Sequence, residues 1–307
     1  DIYKVLLAQR SKRGALEFNT VETKIIFDAD SNIKNIEPAI SNYVNGIIEE
    51  CMLAANVCTS KFLARADIPA LYRVHEEPDP EKVENIRRFL KNRSLILGGG
   101  AKPKPEHYQK LMAEIDGHAD QHLIQELLMR SLRQAIYTPE NIGHFGLAYK
   151  SYAHFTSPIR RYPDLINHRA IRWILQRGAI NEFIYDNKDM HNFGEHCSMT
   201  ERRADKAVNG VINWLKCRFM EDKLGKTFNG VITNVTNFGV FVELKDIYVE
   251  GLLHITSLHN DYYRFDPISY SLRGKRSGIS YNLGDPIKVL VAGVDVDAHE
   301  IDFDLVE

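Results

Sequence analysis

In "GKTFNGVITNVTNFGVFVELKDIYVEGLLHITSL", Gly225–Leu258, apolar residues return at every second position. That is the period of a pleated strand with one buried face. Upstream of Lys226 the period is 3.6, so the architecture changes at Gly225, a residue suited to ending a helix. "FNGVITNV", "FGVFVELK" and "VEGLLHI" read as strands, and "PIKVLVAGVDV" and "EIDFDLVE" add two more near the end of the chain. Five short strands with a long connection after the third predict a small closed barrel. Asn237-Phe238-Gly239 turns the chain tightly between the first two strands. Alternation puts Val240 and Val242 on one face and Phe241 on the other. With the valines inside, Phe241 is free to stack on a ligand; the alternative buries Phe238 and Phe241 in the core.

Ahead of the barrel the segments are mostly helical. Ile2–Gln9 is a short helix, and Thr23–Phe27 with Ile33–Glu37 form a hairpin across an Asp/Ser/Asn turn. A long helix follows, capped by Ser41 or Asn42. Val44, Ile47, Ile48, Cys51, Met52, Ala55 and Phe62 recur along it at helical spacing, and Cys51 and Cys58 read as small buried hydrophobes. "PALYRVHEEP" is extended. "DPEKVENIRRFLKN" and "PEHYQKLMAEI" are helices opened by proline. Residues 119–133 form another, and "GHFGLAYKSYAHF" is strand plus loop. Pro163–Gln176 is a helix, and His191–Lys223 is a longer one burying Val208, Val211, Ile212, Leu215 and Phe219. The fold class is α+β: a helix-rich portion over 1–225, then a five-stranded barrel of the oligonucleotide-binding (OB) type over 226–307.

With 307 residues the chain has room for one large core and a small second domain. A net charge of −2 neither requires nor excludes a nucleic-acid partner, because phosphate binding needs a basic track and not a basic total. No apolar run is long enough for a bilayer, and "DIYKVLLAQRSKRG" lacks a signal-peptide layout. The four cysteines form no CxxC pair, which predicts a reduced, cytoplasmic protein. His191, His196 and Cys197 have poor zinc-site spacing, so no metal site is assigned. No Walker loop, GxGxxG or GxSxG sequence occurs.

The densest chemistry lies in "SYAHFTSPIRRYPDLINHRA", Ser151–Ala170. Ser157-Pro158 is a helix-start signal. Pro163 cannot lie deep in the same helix, since it lacks a donor and clashes with the preceding turn. Pro158–Tyr162 is therefore one turn, and Pro163 opens a second helix. Successive helix starts leave N–H groups for an anion, and Arg160 and Arg161 add planar cations matched to phosphate. The aromatics beside them suit base stacking. Pairing of the two arginines with surface carboxylates is the plainer alternative.

"YAHFTSPIRRYPDLINHRAI" closely resembles the signature of the RNB-domain exoribonucleases, the RNase II and RNase R group. "IIEECMLAAN", "PALYRVHEEP", "CSMTERRAD" and "NDYYRFD" agree with its bacterial RNase R branch. The resemblance covers nearly the whole chain. It implies processive 3′-to-5′ hydrolysis of single-stranded RNA to nucleoside 5′-monophosphates, with Mg2+ as cofactor. By resemblance Arg160 is the catalytic arginine beside the scissile phosphate, where it would neutralise developing charge. Phe18 matches an aromatic that clamps the last bases. Glu49 matches a carboxylate that contacts a ribose, where a 2′-OH marks RNA. A packed core residue is the alternative for Phe18, and a solvated helix residue for Glu49. Tyr152, His154, Ser157 and Arg161 join them as RNA-binding candidates.

Lys226–Glu307 resembles an S1 RNA-binding domain, which assigns Phe238, Phe241 and His254 to the RNA-facing side. Tyr262, Tyr263 and Arg264 extend that surface, and "SLRGKRSG", Ser271–Gly278, reads as a basic loop. The family's metal-binding aspartate cluster has no counterpart. "FDAD", with Asp28 and Asp30, sits in a hairpin turn, and "DVDAHEIDFD" belongs to the last barrel hairpin. The expectation is a carboxyl-terminal portion of such an enzyme, binding RNA with little or no cleavage by itself. A non-catalytic RNA-binding module is the alternative.

Overall fold

A computed structural model describes residues 2–18, 23–39, 42–91, 93–118, 121–258, 261–267 and 269–306. In chain order its main elements are α1 (Ile2–Arg13), β1 (Thr23–Phe27), β2 (Ile33–Pro38), α2 (Tyr43–Ala66), β3 (Tyr72–Val74), α3 (Pro80–Lys91), α4 (Pro105–Glu114), α5 (Gln121–Ser131), β4 (Ile136–Thr138), α6 (Tyr162–Leu175) and α7 (Asn187–Glu221). Then come β5 (Thr227–Val235), β6 (Gly239–Leu244), β7 (Glu250–His254), β8 (Tyr263–Asp266), β9 (Ser271–Gly274), β10 (Ser280–Asn282), β11 (Pro286–Asp295) and β12 (Glu300–Leu305). The chain divides into two compact units. One comprises Asp1–Phe18, Ser41–Gly117 and Gln125–Ala204; the other comprises Asn19–Ile40, His118–Ile124 and Asp205–Glu307. No described helix is long and apolar enough to cross a membrane.

In the first unit, α2 and α6 carry the core. Leu63, Ile68 and Ala70 close on Ala170, with Trp173 and Ile174 packed alongside. Leu71 meets Ile166 and Met190. Leu53 and Val57 pack on Tyr152. The short antiparallel pair β3–β4 sets Tyr72 opposite Thr138 and Val74 opposite Ile136. Asn42 caps α2 by accepting from the Asn45 N–H at 3.0 Å, and Asp67 ends it at φ 53°. Ser41, the other expected cap, lies outside the described residues.

Several sequence expectations are corrected here. Val44 and Ile48 of α2 are exposed, as are Cys51 and Cys58. The buried side of α2 instead carries Glu50, Leu53, Asn56, Val57, Thr59, Ser60 and Leu63. Polar groups go inside because partners meet them: Glu50 binds Arg10, and Asn56 binds Tyr152. Val208 and Val211 of α7 are likewise exposed, whereas Met190, Ser198, Cys217 and Met220 are buried. "GHFGLAYKSYAHF" forms no named strand, only isolated bridges of His144 to His75 and Tyr149. Helix α1 extends four residues beyond the expected Gln9, to Arg13.

In the second unit five strands close a barrel in the order β11-β12-β7-β6-β5. Val240, Val242, Leu244, Leu253 and Val289 are fully buried inside it. The long connection holds a three-stranded sheet, β10-β9-β8, so part of the expected basic loop is strand β9. The turn at Gly225 has φ +74°, a conformation that favours glycine.

Candidate nucleic-acid interface

The Ser157–Arg161 turn is built from both its ends. The Ser157 carbonyl accepts from the N–H groups of Arg160 at 3.3 Å and Arg161 at 3.0 Å. These two backbone donors are therefore used within the turn and are not free for an anion. Pro163 sits in the first turn of α6, as its chemistry requires. The two arginines then part company. Arg161 turns inward and donates from Nη2 to the buried Asp164 at 2.7 Å. Arg160 stays exposed, with one long contact from its Nη2 to Ser157 Oγ at 3.4 Å. Ile159 beside it is fully exposed, so the tip of the turn projects into solvent.

Beneath the turn the aromatic candidates form a floor in which Tyr152 is buried and His154 and Phe155 are half-buried. Tyr152 is only 3% exposed. Its hydroxyl accepts from Asn56 Nδ2 at 2.9 Å, and its ring lies parallel to Tyr149 at 5.9 Å. The other end of the Asn56 amide accepts from the Phe155 N–H at 3.0 Å. His154 shares a 2.8 Å hydrogen bond with the Tyr137 hydroxyl. Burial, and then the charges of Arg161 and Arg73, push the His154 imidazole down to about 2. Burial, with His75 and Arg73 nearby, pushes His144 down to about 3. Both rings are neutral at physiological pH. The Phe155 ring stacks on His168 at 4.0 Å and 4°.

Phe18 is partly buried in an irregular segment after Leu16, whose N–H donates to the Gly146 carbonyl at 2.8 Å. Glu49 is exposed and accepts from Arg10 Nη1 at 2.8 Å. Its neighbour Glu50 is buried and accepts from the same nitrogen at 2.9 Å, and Glu17 pairs with Arg10 Nε at 2.8 Å. Burial works against the Arg10 charge, but the bonds to Glu49 and Glu50 outweigh it and keep the guanidinium protonated. Adjacent residues on a helix point about 100° apart, so one of the pair at 49–50 turns in and the other out.

The second unit presents its own aromatic face. Phe238 is exposed at the turn between β5 and β6, and Phe241 is partly exposed, their centroids 6.1 Å apart edge to face. Gly239 lies opposite His254 in the ladder. A Cβ on Gly239 would fall 2.5 Å from the Leu253 carbonyl oxygen, so only glycine lets β6 and β7 meet there. His254 is exposed, its Nδ1 2.7 Å from Thr256 Oγ1. Arg264 is exposed on the three-stranded sheet and Tyr262 is exposed just ahead of it, while Tyr263 leans on Tyr281 at 5.4 Å. Asp261 ties this region together, accepting from the N–H groups of Arg276 and Ser277, both at 2.7 Å. Those bonds, Ser277 foremost, hold its carboxyl down at about 2.

Sequence reasoning missed Asn56, Asp164 and Asn167, the buried polar residues that hold the floor and the turn. A signal for Asp164 was present, an acid in the first turn of a helix. None exists for the other two, since a lone Asn on a helix is ordinarily solvated.

Residues 1–177 match the RNB domain family, and residues 221–305 match the S1 RNA binding domain. Ribonuclease R of Vibrio parahaemolyticus is 50% identical over 315 residues, an alignment covering 100% of this chain and 38% of that protein. Ribonuclease R of Escherichia coli K12 is 46% identical over 314 residues, covering 100% and 39%. The chain thus spans under two-fifths of the length of these relatives. Among solved structures, the apo form of Mycoplasma genitalium RNase R has a TM-score of 0.92 at 24% identity, covering 99% of this chain and 48% of that one. The same protein in complex with ribose methylated single-stranded RNA has a TM-score of 0.91. At this identity the likeness is one of fold.

Proposed function

This chain belongs to the RNB domain family, and on that footing we propose that it is part of an RNase R-like exoribonuclease that degrades single-stranded RNA from the 3′ end to nucleoside 5′-monophosphates. One observation carries the reading: of two adjacent arginines, Arg161 is consumed by Asp164 while Arg160 is presented at the tip of a braced turn. An exposed guanidinium with one weak partner is placed to take a phosphate and neutralise charge gathering on its oxygens. RNA seen bound to Mycoplasma genitalium RNase R supports the same ligand here. Phe18 and Glu49 would engage bases and ribose near the 3′ end. Tyr152, His154, Ser157 and Arg161 would act chiefly by shaping the turn, since they face inward. Phe238, Phe241, His254, Tyr262 and Arg264 would hold the strand, with each stacked base worth ~1–3 kcal/mol.

The resemblance implies Mg2+ for the wider protein, but the residues described here do not fit it. Among the described residues no group of three or more His, Cys, Asp or Glu side chains is arranged to hold a metal ion. Asp28 Oδ1 accepts from the Asp30 and Asn32 N–H groups within its own turn, and Asp295 Oδ1 does the same for Asp297 and Ala298. On this reading the metal ligands lie elsewhere in the wider protein, and this chain alone would bind RNA with little or no cleavage. A boundary at Gly225 between catalytic and S1 portions, and a cytoplasmic setting for unbridged cysteines, complete the reading.

The test is a 5′-labelled single-stranded RNA incubated with this chain and magnesium, run on a denaturing gel beside a mobility-shift lane. A shift without shortening is expected, with weaker binding by Arg160→Ala. A ladder of shortened products that Arg160→Ala abolishes would sink the expectation of no cleavage. Absence of any shift would remove RNA as the ligand.

A further inference from the structure

Arg160 has no strong contact of its own, so its position comes from the turn beneath it. Two buried polar side chains on α6 supply the bracing. Asp164 is 0% exposed. Its Oδ1 accepts from the Ser157 N–H at 2.8 Å and from Arg161 Nη2 at 2.7 Å, so one carboxylate oxygen grips both ends of the turn. Asn167, three residues on and also 0% exposed, is on the same side of the helix. Its Nδ2 donates to the His154 carbonyl at 3.0 Å, and the whole amide pairs with Leu71, accepting at 3.1 Å and donating at 2.9 Å. The segment leading into the turn is thereby bolted to α6 and to the chain entering β3. Between the two grips the backbone from His154 to Arg161 cannot shift without breaking hydrogen bonds that are at least partly shielded from water.

We propose that Asp164 and Asn167 are positioning residues for Arg160, acting on a bound phosphate only through the geometry of the Ser157–Arg161 turn. This rests on Arg160 contacting RNA phosphate. Arg161 is then a structural member of the brace, and the Arg-Arg pair is one ligand contact and one strut. The alternative is a plain packing role for Asp164 and Asn167, in which their loss lowers stability without touching the phosphate contact.

A double-mutant cycle separates these. The full chain and its Arg160→Ala, Asp164→Asn and double variants are titrated against a 5′-fluorescein-labelled oligoadenylate by anisotropy across a salt series, with thermal melting as the fold check. Arg160→Ala should weaken binding roughly tenfold or more, the scale of one hydrogen bond to a charged group, and should flatten the salt dependence. Asp164→Asn should reproduce both changes, and the double variant should bind no more weakly than Arg160→Ala alone. Wild-type affinity for a folded Asp164→Asn, or losses that multiply in the double variant, overturns the positioning role. Asn167→Ser run through the same cycle decides the matter if Asp164→Asn does not fold. Wild-type binding by Arg160→Ala would instead overturn the phosphate reading, and the inference with it.

Discussion

His154 and His144 show how much the interior asks of single residues. Both rings are half-buried, and desolvation, with arginines or another imidazole close by, holds them at about 2 and about 3. An unfolded chain would protonate them near pH 6.5. A group whose folded value is depressed contributes fully above its unfolded value, and that contribution is lost as pH falls. Stability should therefore be level from pH 8 to 7 and fall below about 6.5, by ~1.4 kcal/mol per pH unit for each histidine while the unfolded state alone takes the proton. Urea midpoints measured from pH 8 to 4.5 check this, and His154→Gln should reduce the slope. Midpoints unchanged between pH 7 and 5 would contradict imidazoles held neutral in the folded chain. Asp261, held at about 2, contributes nothing to this window, since it stays ionised throughout.

At the scale of elements, α2 is the instructive case. Residues 44, 48, 51, 55 and 62 share one side of the helix, and 53, 56, 57, 60 and 63 share roughly the opposite one at about 100° per residue. The second side is buried although it carries Asn56 and Ser60. Leu53→Ala should cost ~2–5 kcal/mol, the usual range for a truncated core aliphatic, whereas Ile48→Ala should stay within about 0.5 kcal/mol. Denaturant titration of the two variants tests the assignment, and the reverse order of costs would restore the face chosen from apolar spacing alone. The barrel strands gave no such trouble. Alternation and the Asn237-Phe238-Gly239 turn leave one register that buries Val240, Val242 and Leu244 together.

Over the whole molecule the net charge is −2, yet Arg160 and Arg264 stand exposed, Arg264 beside the exposed ring of Tyr262. Binding to single-stranded RNA should thus weaken linearly in log–log form with salt, by a slope of about −0.7 for each phosphate neutralised. A salt-independent affinity, read by anisotropy, would mean that stacking acts without phosphate contacts. By itself the sequence determined the features written in local pattern: the closed barrel, the turn between Pro158 and Pro163, the helices opened by proline and the outward Phe241. The tertiary structure decided which of Arg160 and Arg161 stays free, which of Glu49 and Glu50 is buried, and which side of α2 faces in. Those choices rest on partners far along the chain, such as Tyr152 for Asn56 and Leu71 for Asn167, each 96 residues away. Periodicity scores apolarity, and it is blind to a buried polar group whose cost is removed by a hydrogen bond from a distant segment.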